Sequence, residues 1–220
     1  MKNSYKRFLF IYKKCKATHS SFILVYLKHC YRKWILNKNI IAHQRTFIKG
    51  INNINLSKGA VLSIGLQNVG FNHPKDNTLF NINGELSFKE SYSFGRGCRL
   101  DIGKNAKVVF GKGGYTNSFT KFIISHGLVI GDNCAISWDC QFLDEDFHKI
   151  EYQGKEEKSK TIKIGDNVWI GCGVKIYQGS VIPNNTVIAA NSVVRGVFDE
   201  EHTILAGNLA KVIKKNTSWN

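Results

Sequence analysis

Between Lys163 and Gly196 the chain reads KIGDNVWIGCGVKIYQGSVIPNNTVIAANSVVRG, and Ile164, Ile170, Ile176, Ile182, Ile188 and Val194 recur every six residues. A step of six turns an α-helix through about 240°, which would scatter these residues over three faces. One continuous strand would keep them on one face, but it would exceed usual strand lengths. It would also carry Gly165, Gly171, Gly173, Gly179 and Pro183 inside it. What remains is a coil of short strands and turns, each six-residue unit forming one side and pointing its aliphatic residue at the axis. A second column, Val168, Val174, Ser180, Thr186 and Ser192, sets a small residue four places after each aliphatic one. Gly, Asp and Asn between the columns suit tight corners.

The same spacing extends the coil towards the N-terminus. Ile82, Phe88, Phe94 and Leu100 lie six apart, followed by Ile102 and Val108 with Ala106 at the small position, then by Ile130, Ile136 and Phe142. Two stretches break the phase, GKGGYTNSFTKFIISHG at 111–127 and DEDFHKIEYQGKEEKSKTIK at 144–163, and the pattern is loose from Asn39 to Lys75. The expected organisation is an all-β coil over 51–206, preceded by a basic, partly helical segment at 1–50 and followed by a basic tail at 207–220.

The net charge of +15 is unevenly placed: residues 1–50 hold twelve Lys or Arg and no acid, and the first carboxylate is Asp76. The coil body is nearly neutral, which argues against a nucleic-acid binder. In the basic segment Ile23, Tyr26, Leu27, Cys30 and Trp34 follow helical spacing, with Lys28, Arg32 and Lys33 off the stripe. This stripe is expected to pack over the open first coil; the same mixture also suits an anionic membrane surface. Its apolar runs are too short to cross a bilayer or to form a secretory signal. The six cysteines contain no C-x-x-C pair, and Cys134 and Cys140 fall in the small-residue column. Neither a zinc site nor a disulfide framework follows. The expected location is the cytoplasm, with peripheral contact to the inner face of the membrane as an extension.

At the second break Asp144, Asp146 and His148 gather in a stretch where a coil needs only corner residues. Histidine accepts a proton near neutrality, and a carboxylate on its other ring nitrogen would fix the tautomer. The cluster is therefore a candidate site.

The hexads, the phrase IGDNVWIGCGVKIYQGSVIP, the closing ILAGNLAKVIK and the FLDEDFH insertion together resemble the left-handed β-helix acyltransferases of hexapeptide-repeat type. Within them the likeness is to sugar O-acetyltransferases of the galactoside, maltose and capsular-polysaccharide kind, over roughly Ile82 to Lys214. That resemblance implies a left-handed parallel β-helix, acetyl-CoA as co-substrate without a metal, a sugar or glycan acceptor, and a homotrimer with sites between subunits. It implies His148 as general base, oriented by Asp144 or Asp146, and Asn117 as acceptor-binding residue. The cofactor positions it implies are Trp169, Gly171, Cys172 and Ala190, with the Cys172 backbone N–H as oxyanion donor, and Lys211 and Lys214 for phosphate.

Other readings compete. A zinc-dependent anhydrase on the same fold needs H-x-x-x-x-H spacing, which the seven histidines lack. A non-catalytic coil serving as a scaffold or membrane-surface adaptor fits the basic segment, and an amino sugar or other small molecule is the alternative acceptor.

Overall fold

The structure is a computed structural model that describes residues 2–67, 69–148, 153 and 159–219, with side chains from Tyr5 onward. Three parallel sheets wind into seven coils. The first sheet stacks Ile40–Ala42, Leu62–Ile64, Tyr92–Phe94, Tyr115–Thr116, Ala135–Ile136, Trp169–Ile170, Val187–Ile188 and Ile204–Gly207. Thr46–Lys49, Thr78–Ile82, Arg99–Ile102, Lys121–Ile124, Gln141–Leu143, Lys175–Tyr177 and Val193–Val194 make the second. Ile54–Leu56, Glu85–Phe88, Lys107–Phe110, Gly127–Ile130, Ile162–Ile164 and Val181–Ile182 make the third. After the last coil Ala210–Lys214 turns back antiparallel onto Ile204–Gly207.

Register explains the hexads. Ile136 pairs with Ile170 and Ile170 with Ile188, so each inward residue lies on its equivalent one coil away. Every member of both columns from Ile164 to Val194 is buried. Nearer the N-terminus the axis is filled by rings: Phe88 stacks on Phe110 at 5.2 Å and Phe122 on Phe142 at 4.6 Å. Each such ring contributes roughly 1.5–3 kcal/mol of burial.

Corners are fixed by side chains that reach along the stack. At the corner between the third and first sheets, Asp132 Oδ1 accepts the Lys112 N–H at 2.9 Å, Asp166 accepts from Asp132 at 2.7 Å, and Asn184 accepts from Asp166 at 2.7 Å. At the corner between the first and second sheets Gly171 leaves no room for a side chain, since a Cβ there would lie 2.7 Å from the Ala190 nitrogen. Cys98, Cys134 and Cys140 are packing residues, buried with their thiols pushed up to about 12 by burial.

Three expectations change. The stretch 111–127 is not a break but a complete coil, with Thr116, Phe122 and Leu128 holding the inward column. Thr116 disguised it, because the column there is polar, its hydroxyl meeting the Tyr92 hydroxyl at 2.9 Å. Longer strands with two inward residues, such as Phe122 and Ile124, also shift the phase by two. The true early interruption is 65–77, between Leu62–Ile64 and Thr78–Ile82. Coiling also starts at Ile40, inside the segment read as a basic extension.

The helices α1 (Lys2–Ala17) and α2 (Phe22–Trp34) form a hairpin against the outer side of the first sheet, joined through Ile11, Cys15, Val25, Ile41 and Leu66. α2 covers the exposed edge of the first coil, where His29 Nδ1 meets the Ile40 carbonyl at 3.0 Å. It does so with the face bearing Val25, His29 and Arg32. The stripe expected to face inward points mostly outward: Ile23 is 67%, Leu27 60% and Trp34 75% exposed. Among the described residues no helix is long and apolar enough to cross a membrane.

Candidate active site

The interruption that carries His148 leaves the coil at the corner between the second and third sheets, after Gln141–Leu143. Three consecutive carboxylates fasten its base. Asp144 is fully buried and accepts the N–H groups of Ser125 at 2.6 Å, His126 at 2.8 Å and Gly127 at 2.7 Å, replacing the corner bonds of the preceding coil. Glu145 bonds His126 Nε2 at 2.7 Å and Lys160 Nζ at 2.7 Å. Lys160 stands at the far end of the interruption, so this pair closes its neck. Lys160 first, then His126, hold the Glu145 carboxyl down at about 2. Asp146 reaches the other way, accepting from Gln178 and from Arg195 Nη2 at 3.3 Å, on the two following coils.

His148 lies just beyond this base and is exposed. Neither aspartate expected to orient it bonds its ring. The Asp146 main-chain carbonyl does, 3.4 Å from Nδ1. A proton on Nδ1 donated to that carbonyl leaves the Nε2 lone pair free to accept another. The Lys- and Glu-rich continuation at 149–152 and 154–158 lies outside the described residues.

The other predicted positions gather on a different corner, between the first and second sheets. Asn117, Cys172 and Ala190 occupy it on the fourth, sixth and seventh coils, with Trp138 on the fifth. Gly171 donates to Ile188 and Gly173 to Trp138, whereas the Cys172 and Ala190 N–H groups have no acceptor among the described residues. The corner thus presents a file of free donors parallel to the axis. Trp169 sits beside it on the face of the first sheet, its indole N–H on Ser137 Oγ at 3.3 Å and its ring 6.1 Å from Trp219. Lys211 and Lys214 lie exposed on the returning strand at the end of this edge, with no ion-pair partner among the described residues. Asn117 and His148 are not brought together within one chain: the width of the second sheet separates their corners.

An aromatic cluster on the same edge escaped sequence reasoning. The early interruption lays Phe71 against Phe119, ring centres 6.0 Å apart, and against Trp138 at 5.9 Å. Phe71 and Trp138 are half exposed. Phe119 adopts φ +65°, a region a bulky residue rarely enters. The available signal was an aromatic residue at two successive corners, where the pattern called for Gly, Asp or Asn.

Comparison with known proteins follows the same lines. Residues 161–196 match the family described as bacterial transferase hexapeptide (six repeats). The chain is 36% identical over 208 residues to the "Uncharacterized 24.8 kDa protein in cps region" of Klebsiella pneumoniae, covering 94% of this chain and 92% of that one. It is 29% identical over 143 residues to WbbJ of Escherichia coli K12, assigned to lipopolysaccharide biosynthesis as an O-acetyl transferase, covering 60% of this chain and 72% of the relative. Among solved structures, a variant of the N-acyltransferase AntD from Bacillus cereus, in complex with dTDP and coenzyme A, superposes with a TM-score of 0.50 at 20% identity, covering 81% of each chain. That last likeness concerns the fold.

Proposed function

Since this chain belongs to the family of hexapeptide-repeat acyltransferases, we propose that it transfers an acetyl group from acetyl-CoA to a hydroxyl of a sugar in a surface or capsular polysaccharide. The observation that carries this reading is the exposed His148, its Nδ1 facing a main-chain carbonyl and its Nε2 unengaged among the described residues, on a loop pinned at its base by Asp144, Glu145 and Asp146.

The edge bearing Cys172 and Ala190 fits the co-substrate. Two free N–H groups in file suit an extended amide-containing arm, and Lys211 and Lys214 beyond them suit its phosphates. When bound, acetyl-CoA supplies an activated acetyl thioester. His148 Nε2 takes the proton from the acceptor hydroxyl as that oxygen attacks the thioester carbon; the C–S bond then breaks, and the imidazolium returns the proton to the departing thiolate of coenzyme A. The Cys172 N–H meets the thioester carbonyl oxygen, where negative charge develops, and needs no side-chain hydroxyl for it. Buried cysteines elsewhere hold their thiols protonated, and none is given a nucleophilic role. In this reading Asp144 and Asp146 shape the loop instead of bonding the imidazole, and the Asp146 carbonyl sets the tautomer.

Separation of Asn117 from His148 by a full sheet favours a site shared between copies, the first corner of one meeting the second corner of its neighbour. A homotrimer provides that meeting at three equivalent places. Phe71, Phe119 and Trp138 then lie beside Asn117 as a stacking platform for the apolar face of a sugar ring. The outward stripe of α2 and the basic charge of the helices support peripheral contact with an anionic membrane on its cytoplasmic side. Incubation with acetyl-CoA and a panel of acceptor glycans, read by mass spectrometry, tests the activity. Acetylation by the wild type that His148→Ala lacks is the expected result, and equal labelling by both would remove the base assignment.

A further inference from the structure

The helix hairpin does not lie flush on the first sheet. Between them is a cavity of about 1050 Å³ whose lining includes Lys6, Arg7, Lys14 and Lys33. No acid precedes Asp76 in the chain, and none of these four pairs with a carboxylate among the described residues. Arg32, one position before Lys33, is buried with Nη1 lacking a partner among the described residues, which adds positive charge to the same helix end. On the sheet side Gln67 donates to Ser93 Oγ at 2.7 Å, leaving its Oε1 buried and unsatisfied among the described residues. An unmet acceptor below four uncompensated cations describes a cavity suited to an anionic ligand with hydroxyl groups.

The outer face of α2 narrows the class of ligand. Ile23, Leu27, Tyr31 and Trp34 follow one another at spacings of four, four and three along the helix, all more than half exposed. Trp34 belongs both to this stripe and to the cavity wall. A soluble phosphate compound would account for the cations but leave this stripe in water; a lipid accounts for both.

We propose that the cavity is a binding site for a lipid with a phosphate headgroup, the phosphate held by Lys6, Arg7, Lys14 and Lys33 and the hydrocarbon continuing along the exposed stripe of α2. This rests on the membrane-surface part of the proposed function and is independent of acetyl transfer. The lysines act as point charges; Arg7 adds a planar fork, steadied by its bond to Asn39 Oδ1.

The test is flotation of the full chain with phosphatidylcholine vesicles, with and without phosphatidylglycerol. Binding should require phosphatidylglycerol. Lys6→Glu/Lys33→Glu should lower the bound fraction roughly tenfold or more, since each cation near a charged surface strengthens attachment. Lys6→Gln/Lys33→Gln serves as a milder pair if the reversal disturbs folding. Lys104→Glu/Lys107→Glu, on the coil, should lose far less; an equal loss would show general attraction without a site and overturn the proposal. Full release from vesicles by soluble glycerol phosphate would overturn the lipid assignment in favour of a soluble ligand. Absence of vesicle binding, with a self-association that Leu27→Asp abolishes, would assign the stripe to a second copy and overturn it as well. Thermal stabilisation by acetyl-CoA, measured in the same variants, reports separately on the transferase reading.

Discussion

Arg96 donates from Nη2 to the Thr18 carbonyl at 2.9 Å, tying the third coil to the turn between the two helices. Nη2 also donates to the Gly65 carbonyl at 3.2 Å, joined there by Nε at 3.4 Å, and Nη1 donates to the His73 carbonyl at 3.1 Å, so two points of the early interruption are held. The side chain is buried, and burial lowers its pKa. One guanidinium thus anchors the coil, the helix hairpin and the segment that carries Phe71.

Arg96→Met should therefore loosen more than one element. Loss of charge-assisted bonds to three carbonyls is worth about 4.5 kcal/mol or more, roughly a 9–18 °C fall in Tm for a chain of this size. Arg96→Lys should recover little, because an ammonium lacks the planar fork that spans these acceptors. Differential scanning calorimetry gives the shift, and limited proteolysis should show the helix hairpin released first.

Replacing His148 tests chemistry with little structural cost, since the side chain is exposed. His148→Ala should lower acetyl transfer by roughly two to four orders of magnitude while Tm stays unchanged. Asp144→Asn should differ in its effect on stability, weakening charge-assisted bonds to three main-chain N–H groups and lowering Tm together with activity. Comparing both variants in steady-state assays and melting curves separates the base from the scaffold.

Acid stability should fall in two windows. His43 is buried, and burial, followed by the charge of Arg96, lowers its pKa to about 4 from the ordinary 6.5. The unfolded chain takes up that proton first, so the contribution of neutral His43 is complete above pH 6.5 and is lost as pH falls to about 4. Glu145, lowered to about 2 from 4.5, contributes fully above pH 4.5 and loses that contribution as pH falls to about 2. Urea midpoints measured across pH should flatten in the upper window for His43→Asn and in the lower one for Glu145→Gln.

For the aromatic cluster the expected readout is a split between substrates. Phe71→Ala and Trp138→Ala should each raise the KM for the sugar about threefold to tenfold, the worth of one aromatic contact, and leave the KM for acetyl-CoA near the wild-type value. A parallel rise in both would place the cluster in cofactor binding.

The regular part of the coil was legible because each inward position from Ile164 to Val194 is filled by one aliphatic residue, so packing and periodicity coincide. Where packing is shared between residues, the pattern failed. Thr116 fills its place only together with the Tyr92 hydroxyl, a partner on the coil below that no local window contains. The helix stripe misled for a related reason: α2 seats on the first strand through His29 and Arg32, polar residues that a hydrophobic pattern assigns to solvent. In the candidate site the cluster Asp144, Asp146 and His148 stood out by composition, yet the division of labour among its carboxylates depends on donors up to two coils away. Phe71 could not be placed beside Trp138 without knowing that the chain leaves the coil at residue 65.

The returning strand Ala210–Lys214 has a consequence for assembly. A parallel coil is one period of a structure that can grow without limit, since its last strand offers the next copy the same ladder it offered its own chain. Here the last strand is met by one running in the opposite direction. At the other end the carbonyls of Ile40 and Ile54 are taken by His29 and Lys38. The first sheet is thereby closed to in-register addition of another chain at its last strand, and the opening coil has two of its carbonyls already occupied.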